Sequence, residues 1–334
     1  MSKKKFILLL AVKATISLVL VWLILHRIPF AAVWEKLTDI DPMLIAATLP
    51  LSLFVIFASA WRWHALSLGL IPIFTAVRYT WIGMFYGAIL PGGVSGDVAK
   101  GASLALRHND TRVSRLPISI FADRVIGLLA LLIVFSLSCA GFALNGSTQR
   151  EGLREFAWWG FGLSFVALSI AVAFTAGWGK RLSSAIVESL PKGRLQTTGQ
   201  SLQIAFYDIV SRPRLLLGTL SVSLLIHLAN TAAYSILLRA LGVHLPLGQV
   251  VVFYTSMSVI VMLPISISGV GIRDWFSLAF FTGLGLTGAT GVAFSWMTLA
   301  IGTAVASVGG LIQLLEITCV KKKPPVASSS SSLP

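Results

Sequence analysis

Charge is what this sequence has least of. Only 11% of its 334 residues are Asp, Glu, Lys or Arg, while 56% are hydrophobic. That balance lies outside the range of soluble globular domains and fits a chain that crosses a bilayer repeatedly. Acidic residues are the scarcer sign, 12 against 26 Lys and Arg, leaving a formal net charge of +14. The basic residues are scattered between apolar segments and form no single stripe, so nucleic acid is excluded as an expected partner and orientation in the membrane accounts for the excess. Cysteine is nearly absent. Cys139 and Cys319 each end an apolar run without metal-ligand spacing, and buried free thiols are the expectation. The histidines, His26, His64, His108, His227 and His244, fall in separate segments, and no Walker motif, metal cluster or nucleophile–base spacing occurs. No cofactor, metal or catalytic residue is expected.

What is present is a series of long apolar runs. Lys3-Lys4-Lys5 and the run from Phe6 to Leu25 read as a retained signal anchor, since the apolar part is too long for a cleaved leader and no small-x-small site follows before Pro29. Lys13, inside that run, can snorkel to the surface. Further spans are expected at about Met43–Trp63, Pro117–Cys139, Phe156–Trp178, Leu215–Leu238 and Ala289–Ile317. Residues 30–41 suit a short interfacial helix, and Trp61-Arg62-Trp63-His64 reads as an aromatic and basic anchor at a membrane surface. The polar segment Gly179–Arg214 reads as two amphipathic surface helices around Pro191, and residues 321–334 as a stop signal and disordered cytosolic tail.

Two helix-breaking runs interrupt this pattern. Leu90-Pro91-Gly92-Gly93-Val94-Ser95-Gly96-Asp97, with Lys100, recurs 173 residues later as Leu263-Pro264-Ile265-Ser266-Ile267-Ser268-Gly269-Val270-Gly271-Ile272-Arg273; the same offset pairs Gly69 with Gly242. Each run reads as the turn of a re-entrant hairpin. From Arg78 to Pro91 the chain offers about 18 Å of helix, too little for a hydrocarbon core of about 30 Å. Broken backbone at that depth must be satisfied by protein or by a water-filled cavity.

The expected architecture is therefore an all-α polytopic membrane protein with about six full spans and two re-entrant hairpins. It forms a single domain over residues 1–320, with repeat halves at about 6–141 and 156–317. Three spans per half, an odd number, turn the second copy upside down. With both termini cytosolic, 18 of the 26 Lys and Arg fall in cytosolic segments, as the positive-inside rule requires.

An inverted pair lets the two turns meet near the midplane. Ser95 and Ser268 are placed to cap half-helices whose positive ends face the cavity, and Lys100 and Arg273 add formal charge, an arrangement suited to an anionic head-group. Asp97 and Asp274 either hold those basic residues in place, the reading preferred, or take part in proton or cation coupling. Asp123-Arg124, about two turns into a span, is either a cavity-facing element or a mutually neutralising structural pair.

These runs, Leu90-Pro91-Gly92-Gly93-Val94-Ser95-Gly96-Asp97 with Lys100, Asp123-Arg124, and Leu263-Pro264 through Gly269-Val270-Gly271-Ile272-Arg273-Asp274, resemble the motifs of the lysylphosphatidylglycerol synthase transmembrane (flippase-like) family from about Lys5 to Val320. Asp123 and Asp274 stand where the family usually has Glu, and Lys100 where it has Arg, which bears on substrate more than on fold. The resemblance implies an integral membrane domain which, in the family's bifunctional members, moves an aminoacylated phospholipid between leaflets beside a cytosolic aminoacyltransferase domain. Its binding residues would be Pro91, Gly92, Gly93, Ser95, Gly96, Asp97, Lys100, Asp123, Arg124, Pro264, Ser266, Ser268, Gly269, Gly271, Arg273 and Asp274. The chain ends at Pro334 without room for a synthase domain, so lipid aminoacylation is not carried over. The expected role is a lipid transporter of the cytoplasmic membrane handling a phospholipid or lipid-linked intermediate, with membrane lipids and lipid-biosynthetic enzymes as partners. The alternatives are a membrane-embedded transferase on a lipid-linked substrate and a non-transporting accessory subunit of envelope biosynthesis.

Overall fold

The computed structural model describes residues 3–90, 95–105, 116–144, 151–173, 184–185, 187–189, 194–262, 266 and 269–320. The expected site residues Pro91, Gly92, Gly93, Pro264 and Ser268 lie outside these, as do the expected break at Pro191 and the tail at 321–334. Thirteen helices make up the secondary structure of the described residues: α1 (Lys3–Arg27), α2 (Phe30–Thr38), α3 (Pro42–Ala47), α4 (Leu49–Leu66), α5 (Ile73–Ile89), α6 (Ser95–Ala105), α7 (Leu116–Leu144), α8 (Glu151–Ala173), α9 (Arg194–Val210), α10 (Pro213–Ala240), α11 (Leu247–Met262), α12 (Ile272–Gly283) and α13 (Gly288–Val320).

Among the described residues four stretches are long and apolar enough to cross a membrane: Pro42–Leu66, Leu116–Leu144, Pro213–Ala240 and Gly288–Glu316. A fifth is added if Thr15–Arg27 and Phe30–Thr38, which meet at 87°, form one broken span. The bend falls at Pro29, whose extended backbone (ψ 130°) and missing N–H stop α1 and let α2 start afresh. The protein is a multi-pass, all-α membrane protein.

Hairpin one is α5 against α6, and hairpin two is α11 against α12. The first arm is longer than its charges suggest. It begins after Pro72, not at Arg78, and its 17 residues span about 25 Å, still short of a hydrocarbon core of about 30 Å. Arg78, its side chain 48% exposed, lies more than one turn inside α5 and pairs with Glu316, a residue only 2% exposed on α13. Between apolar helices in lipid there is little hydrophobic drive to associate, so close approach through small residues has to hold them. A Cβ on Gly96 would strike the Gly83 carbonyl across hairpin one, and one on Gly291 would come within 2.6 Å of the Ser277 carbonyl between α12 and α13. Gly309 and Gly310 give α13 a notch that receives Trp81 and Phe85 of α5.

The packing is reciprocal. Helix α4 lies against α10, α5 against α13, and α7 against α11, so each half of the chain leans on the other. Gly69 and Gly242 both take positive φ, +82° and +72°, just beyond the ends of α4 and α10. The halves are nevertheless filled differently. Around hairpin two an aromatic cluster is closed up, with Phe253 centred 4.9 Å from Phe280 and 5.2 Å from Phe294. Beside hairpin one the helices stand apart and leave a cavity.

Candidate functional site

That cavity holds about 470 Å³ and is walled by α4, α5, α6, α7, α10, the end of α11 and the turn of hairpin two. Its polar side carries Arg62, Asp97, Lys100, Asp123 and Arg124; its apolar side includes Met84, Leu90, Leu128, Leu131, Ile226 and Val261. A second cavity of about 480 Å³, between α7 and α11, is lined by residues such as Leu137, Phe142, Leu247 and Gln249 and by no charged side chain. Of these two cavities, the first alone carries charged side chains among the described residues.

Arg62 is the centre of the charged wall. It sits on the inward face of α4 with Ser59, Trp63 and Leu66, at the three- and four-residue spacing that aligns side chains on a helix. Its Nε donates to Asp123 Oδ1 at 2.7 Å, its Nη2 to Asp123 Oδ2 at 3.2 Å, and its Nη1 to Ser223 Oγ of α10 at 2.9 Å. The guanidinium passes over Gly127, one turn beyond Asp123, where a Cβ would meet Nη1 at 3.1 Å. The interfacial reading of Trp61-Arg62-Trp63-His64 fails for its two middle residues. Arg62 and Trp63 are 9% and 0% exposed, whereas Trp61, on the other face, is 44% exposed. An arginine whose charge and planar fork are both matched by a carboxylate can stay inside the bundle.

Asp123 and Arg124 do not neutralise each other. Adjacent on α7, they point to different partners: Asp123 to Arg62, and Arg124 Nε to Asp97 Oδ2 of α6. Asp97 thus holds a basic residue in place, but Arg124 instead of its own neighbour Lys100. Lys100 is 5% exposed, and its Nζ lies 3.4 Å from the centroid of the Trp63 ring. Among the described residues no carboxylate pairs with it. Trp63 is itself fixed by an Nε1–H donated to Ser119 Oγ at 3.2 Å.

On the facing wall His227 bridges two helices, with Nδ1 2.8 Å from Tyr254 Oη and Nε2 3.4 Å from the Gly127 carbonyl oxygen. From hairpin two, Ser266 and Gly269 reach the cavity. The hydroxyl of Ser266, in a residue 4% exposed, has no hydrogen-bond partner among the described residues, and neither does the buried Thr80 Oγ1.

Seven expected site residues therefore meet at one cavity: Gly96, Asp97, Lys100, Asp123, Arg124, Ser266 and Gly269. Ser95 lies beside it, its hydroxyl donating to the Leu90 carbonyl at 3.1 Å. Gly271, Arg273 and Asp274 are elsewhere. Arg273 donates from Nε to Ser295 Oγ at 3.0 Å and from Nη2 to the Ser295 carbonyl at 2.8 Å and Thr298 Oγ1 at 2.5 Å, all on α13. Asp274 accepts from Ser295 Oγ and, at 2.9 Å, from the Gly271 N–H. Gly271, with φ +87°, occupies the position before α12 that was expected for Ser268, and a Cβ there would come within 2.7 Å of Leu20. Residues missed by sequence reasoning are Arg62, Trp63, Ser223 and His227.

Compared with known proteins, residues 10–310 match the family model described as the lysylphosphatidylglycerol synthase TM region. No curated protein and no solved structure matches the chain.

Proposed function

We propose, from the premise that this chain belongs to the lysylphosphatidylglycerol synthase TM region family and so to membrane proteins related to lipid handling, that it binds a phospholipid or lipid-linked intermediate in the charged cavity and moves it between leaflets. The observation that carries this reading is the cavity's two-sided lining. Ion pairs and a lysine make one wall and aliphatic side chains the other, within one bundle of apolar helices. A soluble metabolite has no use for the aliphatic wall, whereas a lipid presents a polar head and an apolar tail together.

Reciprocal packing of α5 on α13 and α7 on α11 supports two inverted copies over about 6–141 and 156–317, the arrangement on which rocking-type transport is built. The protein works in the cytoplasmic membrane with both termini cytosolic, on lipids supplied by lipid-biosynthetic enzymes. The test is redistribution of a fluorescent phospholipid in vesicles reconstituted with the purified protein, read by chemical quenching of the outer leaflet. Vesicles with the protein should lose more than half of the signal, and Arg124→Gln should abolish the excess without changing lipid composition in cells. Equal quenching with and without protein overturns the proposal, and loss of one lipid species on Arg124→Gln points instead to a transferase.

A further inference from the structure

We infer that the lipid taken by this cavity has a phosphodiester head-group with one net negative charge, its phosphate held between Lys100 and Ser266, and that lipids with cationic head-groups are refused. This rests on the lipid-binding reading above and narrows its substrate class.

Among the described residues the charged groups lining the cavity are Arg62 from α4, Asp97 and Lys100 from α6, and Asp123 and Arg124 from α7, with His227 from α10 as the remaining titratable side chain. Two Arg–Asp pairs cancel, Arg62 with Asp123 and Arg124 with Asp97. Lys100 remains, so with its ammonium protonated and His227 neutral these groups sum to one positive charge. The Trp63 ring attracts the ammonium through its quadrupole but does not neutralise it. A cation at 5% exposure between apolar helices is costly without a counter-charge.

A second, independent observation points the same way. Ser266 and Thr80 are among the residues that line the cavity, and their hydroxyl oxygens are buried without hydrogen-bond partners among the described residues. Such orphans are uncommon in folded proteins and mark places where a further group belongs. The unused set is thus one ammonium and two hydroxyls, all able to donate, next to aliphatic wall. Its complement is a group that only accepts and carries one negative charge, and among the phospholipids of the reading above that is the pair of non-bridging oxygens of a phosphodiester. A phosphomonoester dianion would leave one negative charge uncompensated, a zwitterionic head-group would leave one positive charge, and an aminoacylated, cationic head-group would add to the surplus. Ser266 belongs to the turn of hairpin two and Lys100 to hairpin one, so the phosphate ties the two hairpins together.

The experiment is lipid retention by the full-length protein, purified in detergent and measured by native mass spectrometry. The probes are phosphatidylglycerol (net −1), phosphatidylcholine (zwitterionic), phosphatidic acid (towards −2) and lysylphosphatidylglycerol (net positive). Phosphatidylglycerol should be held at least about tenfold more tightly than the other three, the amount expected of one charge-assisted contact. Lys100→Gln should erase the preference and Lys100→Arg keep it. Ser266→Ala should weaken phosphatidylglycerol and phosphatidylcholine alike, by up to about tenfold, because both carry the same phosphodiester oxygens, with the thermal midpoint measured beside it to separate loss of the contact from loss of folding. Inorganic phosphate should not displace the lipid; if it does, the site serves a soluble anion and the inference is overturned. Equal retention of all four lipids, a preference untouched by Lys100→Gln, or phosphatidylglycerol retention untouched by Ser266→Ala also overturns it while lipid binding itself stands. Retention of no lipid removes the underlying reading as well.

Discussion

Replacing Asp123 by Asn changes one oxygen for an amino group, yet it should destabilise the protein by about 3 kcal/mol. The Arg62 guanidinium and Asp123 carboxylate are 11% and 12% exposed and joined by two hydrogen bonds. At roughly 4 Å between charge centres and an effective dielectric of about 20, their attraction is about 4 kcal/mol before desolvation. Removing one member of a buried pair generally costs ~3–5 kcal/mol, because the other charge is left in an apolar setting. The lower end applies here, since Arg62 keeps its bond to Ser223 at 2.9 Å and borders a cavity that admits water. The buried thiol of Cys139 supplies the assay: in a Cys319→Ser background, a thiol-reactive dye should label it only on unfolding. The apolar double variant Arg62→Met with Asp123→Leu should recover most of the loss, as apolar replacements of buried pairs do. A cost under about 0.5 kcal/mol for Asp123→Asn, or no recovery in the double variant, would refute the claim that the pair is desolvated and return Arg62 to the role of surface anchor.

Gly96→Ala should prevent hairpin one from closing, because its Cβ would meet the Gly83 carbonyl; Gly141→Ala on α7 has open space around it and should raise helix stability by up to about 1 kcal/mol, both read as folded yield and thermal midpoint. Arg273→Gln should lower the thermal midpoint by loosening α12 from α13, yet change phosphatidylglycerol retention less than twofold, whereas Lys100→Gln lowers it about tenfold; a retention loss equal to that of Lys100→Gln would place Arg273 in the binding site. Labelling with a membrane-impermeant thiol reagent should modify Ser147→Cys in intact cells and spare Ser329→Cys, and the reverse pattern would end the inverted-repeat model.

Hydropathy located the long helices, and the Pro-Gly runs located both hairpins, because each is a property of neighbouring residues. Asp97, Lys100, Asp123 and Arg124 were also legible, since a charge inside an apolar run needs a reason to be there. Arg62 was not. A Trp-Arg-Trp sequence at the end of an apolar helix looks the same whether it meets head-groups or a carboxylate on α7, and the difference lies in which face packs inward. Arg273 was misplaced by a register effect. The sequence offset of 173 pairs it with Lys100, but α6 begins at Ser95 and α12 at Ile272, so the start-to-start shift is one helical turn larger. Counted from the helix starts, Arg273 answers Gly96, Asp274 answers Asp97, and Lys100 is answered by the buried Ser277. Four extra residues in a turn were enough to carry the arginine from the cavity wall to the α13 seam.

The notch that Gly309 and Gly310 cut for α5, and the contact of α7 with α11, give the chain's two halves a kinship stricter than resemblance. Neither half owns the surface that stabilises it. A substitution that widens α5 is felt on α13, two hundred residues away along the chain, and the answering change must occur in the other half. The two halves can therefore differ in how tightly they are filled, as the aromatic cluster and the cavity show, but along the seam they must change together. The unit that folds, and on which selection acts, is the interlocked pair.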